Sequence, residues 1–267
     1  MQFIRRLTKP MTASTTRSAA HGMTAATTTR GPAHRAVRAS NSSAAAGASA
    51  TSTTPSRSDS RHGGRGGSWH QALLPYTQHP ETYDPAREVF AYSESTVTIY
   101  DQYPKSSVHL LVMPRRVVTN VSALDPAKEE DVRVVDQVDA ECQRVLALMQ
   151  AKHPTLRFRL GLHAVPSMTQ LHVHLISQDF ARAEKLKTKQ HWNSFTTAFF
   201  VDWEWVVDEF KAGRKVTFEK QEYEQMLKSP LKCHECTDLP AFTNMPRLKA
   251  HLDSQPHGVR DDENASK

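Results

Sequence analysis

Two histidines one residue apart, His172 and His174 in Gln170-Leu171-His172-Val173-His174-Leu175-Ile176, are the most reactive-looking pair in the chain. On an extended strand alternate side chains share a face. Leu171, Val173 and Leu175 then feed a core, and Gln170, His172 and His174 line the opposite face. Imidazoles make a poor core, because each buried ring needs a hydrogen-bond partner. A neutral imidazole near pH 7 can attack an electrophile, or accept or donate a proton. The spacing therefore predicts a reactive surface, with paired structural histidines on an exposed strand as the alternative.

A second constellation lies nearer the C-terminus. Cys233-x-x-Cys236 is followed by His251 and, five intervening residues later, by His257. Two thiolates and two imidazoles at these spacings are the donor set of a zinc finger. Phe242 and Leu248 supply its small core. Cys233, Cys236 and His251 are three ligands; His257 is the expected fourth, with Asp253 as an alternative. Four protein donors leave no open coordination position, so the expected zinc is structural. Cys142 stands alone among Val and Leu and reads as a buried small hydrophobe. One C-x-x-C pair and one lone cysteine make no disulfide framework and fit a reducing compartment.

The elements that must position these residues follow from periodicity. Residues 68–83 open with Ser68 as an N-cap and place Trp69, Ala72, Leu73 and Tyr76 at helical spacing, with Pro75 keeping the helix short. "EVFAYSESTVTIYDQYP" reads as two strands joined by a turn at Ser93–Ser95, and "VHLLVMP" as a third. "DPAKEEDVRVVDQVDAECQRVLALMQAKHP" is one long amphipathic helix between Pro126 and Pro154. "RFRLGLHAVP" and "QLHVHLISQDF" are the fourth and fifth strands, turning at "SMT". Strands with one long inserted helix predict an α+β sheet domain over roughly residues 85–180. A basic stretch, "EKLKTKQHWNSF", and a helical piece, "VDWEWVVDEFKAG", lead to the Cys/His cluster.

Charge is unevenly distributed over the 267 residues. Residues 1–67 hold ten Lys and Arg against the single acid Asp59, so they carry +9 of a net +6 and leave the rest of the chain about three charges negative. Rich in Ser, Thr, Ala and Gly and nearly free of aromatics, this tail cannot bury enough apolar area to offset ordering and is expected to be disordered. The same composition suits a mitochondrial transit peptide. The Arg-Gly-Gly stretch at 61–67 reads as a flexible linker or a loose nucleic-acid contact. Nucleic-acid binding by the folded part must use a local basic patch. No apolar run is long enough to span a bilayer, and no membrane partner is expected. The expected division is a tail over 1–67, a catalytic domain over 68–218, a finger over 219–260 and a disordered end over 261–267.

The strand 170–176 resembles the histidine-triad motif, with Gln170 in place of the first His. "YPKSSVHLLVMPR", "FRLGLHAVPSM", "ISQDF" and "LKTKQHWNSF", in that order and followed by a Cys/His finger, resemble the aprataxin family, the DNA-adenylate hydrolase branch of that superfamily. The likeness covers about residues 68–257 and is to the short fungal form without a forkhead-associated domain. It implies an α+β fold: a histidine-triad antiparallel sheet with helices, plus the finger.

It also implies roles. His172 would be the nucleophile that takes AMP from a DNA 5′-phosphate, forming a covalent AMP-histidine that water then hydrolyses. His174 would stabilise the transition state, and His163 would serve the leaving phosphate, a satisfied core histidine being its other reading. Ser167, Lys105, His109 and Gln170 would bind phosphate or order the site, and Asp101 would clamp the ribose hydroxyls; Asp101 and Ser167 also suit plain turn residues. Trp69 would stack on a terminal base pair, or pack as an ordinary helix aromatic. Lys187, Lys189 and His191 would meet the DNA backbone, Trp192 would be core, and Lys228, Lys232, Arg247 and Lys249 would add charge on the finger. The expected partners are nicked or broken DNA ends carrying 5′-AMP, with AMP as product and RNA–DNA junctions as a further end type. The expected protein is a nuclear monomer with a mitochondrial fraction, using structural zinc and no catalytic metal. A hydrolase of AMP-lysine or dinucleoside polyphosphates, and a non-catalytic DNA-binding module, are the competing functions.

Overall fold

A computed structural model describes residues 69–255 and 257–259. The expected cap at Ser68 and both expected disordered ends lie outside the described residues. Six strands form one antiparallel sheet, ordered β1-β2-β3-β5-β4-β6: β1 Val89–Tyr92, β2 Thr96–Tyr100, β3 His109–Pro114, β4 Phe158–His163, β5 Val173–Ser177 and β6 Phe200–Asp202. β3 and β5 are central and buried at every position, which is why both read as near-continuous apolar runs. Ser93 closes the β1–β2 turn by accepting the Thr96 N–H at 3.0 Å with its hydroxyl, as serine does in such turns.

The long helix α2, Glu129–Lys152, begins with Glu129, Glu130 and Asp131 and ends with Lys152, charges that complement the helix dipole. Its buried stripe includes Val134, Val138, Cys142, Val145 and Met149 and covers one face of the sheet. Burial pushes the Cys142 thiol well above its usual range, so this cysteine is inert packing. The short helix α1, Leu74–Gln78, carries Tyr76 over β2 and β3.

Three features differ from the sequence reading. β5 starts at Val173 rather than Gln170, because Gln170 has φ 101° and cannot sit in a ladder. The sheet gains β6 beside β4, too short to show alternation in sequence. Gly161 permits that pairing: a Cβ there would lie 2.6 Å from the Val201 carbonyl oxygen. The third difference concerns the finger, built from α5 Lys220–Met226 and α6 Met245–Asp253 after helices α3, Lys189–Thr196, and α4, Trp203–Lys211. It does not pack alone. Leu231, Cys233, Met245, Leu248 and Leu252 share one apolar cluster with Ile176, Phe180, Trp192 and Phe195.

Candidate active site and metal centre

Antiparallel pairing places Leu111 of β3 and Gly161 of β4 directly opposite His174 of β5. Directly paired residues share a face, and alternation extends that face to His109, His163 and His172. Their rings cluster: centroid separations to His174 are 5.1 Å from His109, 4.6 Å from His163 and 5.1 Å from His172. The reading of two imidazoles on one face thus grows to four, all contacting a cavity of about 660 Å³.

Hydrogen bonds assign the proton on three of the four rings. The Lys105 N–H donates to His109 Nδ1 at 3.2 Å. His109 therefore holds its proton on Nε2 and donates it to His174 Nδ1 at 2.9 Å. The proton of His174 must then sit on Nε2, which has no partner among the described residues. His172 donates from Nδ1 to the Gln170 carbonyl oxygen at 2.8 Å, leaving the Nε2 lone pair free. Burial holds all four rings neutral at pH 7. It lowers His109 to about 4 and His163 to about 3, takes His174 well below its ordinary value, and lowers His172 against the opposing Gln170 carbonyl and Asp101 charge. The site thus offers a bare nucleophilic nitrogen beside an N–H donor.

Asp101 caps a turn and faces the imidazole cluster. Its Oδ1 accepts the Tyr103 N–H at 2.7 Å, and its Oδ2 stands 3.5 Å from His109 Nδ1. Lys105, Ser167, Lys185, Lys187 and His191 also line the cavity. Burial lowers the Lys105 ammonium pKa, and its Nζ donates to the Tyr103 carbonyl. Trp69 stands at the cavity, 55% exposed, its ring 5.8 Å from that of Tyr103. Trp192 is core, 1% exposed.

Gln170 and Lys189 go elsewhere than expected. The Gln170 amide is fully buried, accepting the Val118 N–H at 3.1 Å and donating to the Pro114 and Arg116 carbonyls at 2.7 and 3.0 Å. It pins the loop after β3, and only its backbone carbonyl serves the site, through His172. The Lys189 ammonium donates to the Lys228 carbonyl at 2.9 Å, and that of Lys249 to the Ala183 carbonyl at 2.7 Å; both tie the finger to the sheet domain. Sequence reading missed Phe195, whose ring meets His109 and His174 edge-on at 5.3 Å and His163 at 4.8 Å. It also missed Tyr103. Phe195 closes the "HWNSF" run and Tyr103 lies in "DQYPK", so composition offered the aromatic but not its partner.

The Cys/His cluster assembles. The donor atoms of Cys233, Cys236, His251 and His257 all lie within 4.8 Å of one another, without Asp253. Cys236 Sγ is 3.5 Å from His251 Nε2 and 3.4 Å from His257 Nε2. Soft sulfur and imidazole donors in a compact group of four are what zinc requires. Asp101, His109 and His174 form a second close group, but there the two rings bond to each other.

The antiparallel sheet, the imidazole cluster and the Cys/His group define a histidine-triad protein with a C-terminal zinc-binding finger. Residues 76–191 match the model of the scavenger mRNA decapping enzyme C-terminal binding domain, and residues 196–257 match the C2HE/C2H2/C2HC zinc-binding finger. Aprataxin of Gallus gallus is 41% identical over 186 residues, 70% of this chain and 54% of that protein. An aprataxin-like protein of Saccharomyces cerevisiae is 30% identical over 165 residues, 51% of this chain and 74% of that protein. A crystal structure of the aprataxin ortholog Hnt3 in complex with DNA superposes with a TM-score of 0.57 at 26% identity, covering 71% of this chain and 95% of that one. The chain belongs to the aprataxin family. It spans about half the length of the vertebrate and tunicate aprataxins it matches.

Proposed function

We propose that this protein is a DNA-repair hydrolase that removes AMP from adenylated DNA 5′ ends. One observation carries the reading: the bond chain Lys105–His109–His174, with His172 held by Gln170, leaves a lone pair on His172 Nε2 and a proton on His174 Nε2. His172 Nε2 attacks the AMP phosphorus, forming a P–N bond as the bridging P–O bond breaks. The electron pair leaves on the DNA 5′-phosphate, a monoester with a second pKa of about 6 that needs no proton at neutral pH. The His174 N–H stabilises the charge developing on the AMP oxygens, and His163 lines the same cavity. Water then attacks the same phosphorus, the P–N bond breaks, His172 recovers its lone pair and AMP departs. Asp101 suits the ribose hydroxyls, and Lys105 and Ser167 suit the phosphates. These side chains supply the charge stabilisation without calling on a catalytic metal.

The DNA end is read from the cavity rim. Trp69 presents a face on which any base can stack, and Lys187 and His191 line the same rim to meet backbone phosphates without reading sequence. RNA–DNA junctions fit this rim as well. Zinc held by Cys233, Cys236, His251 and His257 is structural, since all four positions come from protein. The protein acts as a monomer in the nucleus, with the basic N-terminal segment sending a fraction to mitochondria.

The purified full chain is expected to release AMP from 5′-adenylated nicked duplex DNA, and His172→Ala to abolish release. Persistent release by the variant would remove His172 as nucleophile. A chain that cleaves AMP-lysine or dinucleoside polyphosphates but not the nicked duplex would favour the small-nucleotide reading, and one that binds the duplex without releasing AMP would favour a non-catalytic module.

A further inference from the structure

The fourth metal donor is not placed by the finger's own helix. α6 ends at Asp253, and the position four residues after His251 holds Gln255. His257 lies beyond, its Nδ1 facing the Gln255 carbonyl oxygen at 3.3 Å and its Nε2 turned to Cys236. The next residue, Gly258, makes a set of bonds that reach outside the finger. Its N–H donates to Glu235 Oε1 at 2.9 Å. Its carbonyl oxygen accepts the Arg157 N–H at 2.8 Å. Glu235, between the two cysteines, also pairs with the Arg157 guanidinium. Gly258 adopts φ +74°, and a Cβ there would collide with the backbone of Gln178; only glycine meets both conditions. Val259 then bridges to Leu156. Arg157 immediately precedes β4 and Gln178 immediately follows β5.

We infer that Arg157, Glu235 and Gly258 form a clasp by which the catalytic sheet holds His257 in the metal's coordination shell. None of the three is a ligand; they are positioning residues. The inference rests on the metal reading of Cys233, Cys236, His251 and His257. A ligand on a short irregular segment would otherwise lose conformational entropy each time it bound. Docking of residues 257–259 on the sheet fixes that segment in advance, and partners outside the ligand shell commonly contribute about 10- to 100-fold in metal affinity.

The test is zinc affinity of the full chain, measured by competition with a chromophoric chelator, and the spectrum of the cobalt(II)-loaded protein. Glu235→Ala and Gly258→Ala are expected to weaken zinc binding about 10- to 100-fold while keeping the thiolate-to-cobalt charge-transfer band, since every ligand remains. His257→Ala is expected to weaken binding further and to alter the cobalt spectrum. Wild-type affinity in both Glu235→Ala and Gly258→Ala overturns the clasp, as does a His257→Ala protein with unchanged affinity and spectrum. Should Gly258→Ala not fold, Glu235→Gln decides: it keeps an acceptor for the Gly258 N–H but loses the charge opposite Arg157, so faster zinc release supports the clasp and an unchanged rate overturns it. A wild-type chain that takes up no stoichiometric zinc fails differently, by removing the metal reading itself.

Discussion

His109 Nε2 lies 2.9 Å from His174 Nδ1, and this bond assigns the proton on the far side of His174. A ring without a donor at Nδ1 can equally carry its proton there, and Nε2 then becomes an acceptor that repels a phosphoryl oxygen. Deleting one such donor to a developing oxyanion commonly lowers kcat about 10²- to 10³-fold. His174→Ala should show a loss of that size in single-turnover AMP release. His109→Ala should show a smaller loss in kcat with little change in KM, because it leaves the donor present but unassigned. Equal KM and kcat effects in His109→Ala would reduce His109 to packing.

The pH dependence follows from burial. Protonated His172 cannot attack, and its folded pKa is lowered from 6.5. Activity is therefore present above the lowered pKa and lost as pH falls through it, so the midpoint of the acid limb of kcat/KM should lie below that of a free imidazole. The Asp101 charge raises the His172 pKa, so Asp101→Asn should move the acid limb to still lower pH. A limb that stays in place or moves up would contradict this.

Stability should carry the same signature. The unfolded chain protonates its histidines near pH 6.5, while folded His109 and His163 resist protonation down to about 4 and about 3. The unfolded state thus binds more protons across that window, and stability falls as pH drops below 6.5. Urea denaturation from pH 7 to 4 should show a shallower loss in His163→Gln.

Trp69→Ala should weaken action on duplex ends far more than on a small AMP ester. Tyr103→Ala should act in the same direction, since its ring lies 5.8 Å from the exposed indole. An equal loss on both substrates would make Trp69 a packing residue.

Gln170→Ala would leave the Val118 N–H and the Pro114 and Arg116 carbonyls without the partner they have now. A loss of about 1–3 kcal/mol is expected from such buried orphans, read from the denaturation midpoint. A variant as stable as wild type would mean that water replaces the amide.

The sheet domain was largely legible in sequence because its strands are bounded by turn chemistry: Ser93 in the first hairpin, Pro114 at the end of β3. The pairing of His172 with His174 was legible from alternation alone. Gln170 was not, because a residue with φ 101° leaves the strand just where periodicity still holds. β6 was hidden by its three residues. Phe195 and Tyr103 act through neighbours distant in sequence, and no local pattern reports those. The finger's ligands were visible from spacing, but the bonds of Gly258 to Glu235 and Arg157 beside His257 join residues far apart in the chain, which no local pattern reports.

Helix α3 has two commitments on its two sides. The Asn193 amide donates to the Leu227 and Ser229 carbonyls at 3.0 and 2.8 Å, and the Trp192 indole donates to the Lys232 carbonyl at 2.8 Å, while Phe195 rests on three of the four imidazoles. A gene fragment ending before residue 219 would strip those donors of their acceptors and bare Trp192. Loss of the finger is therefore expected to loosen α3, and with it the ring of Phe195 that packs on the imidazoles.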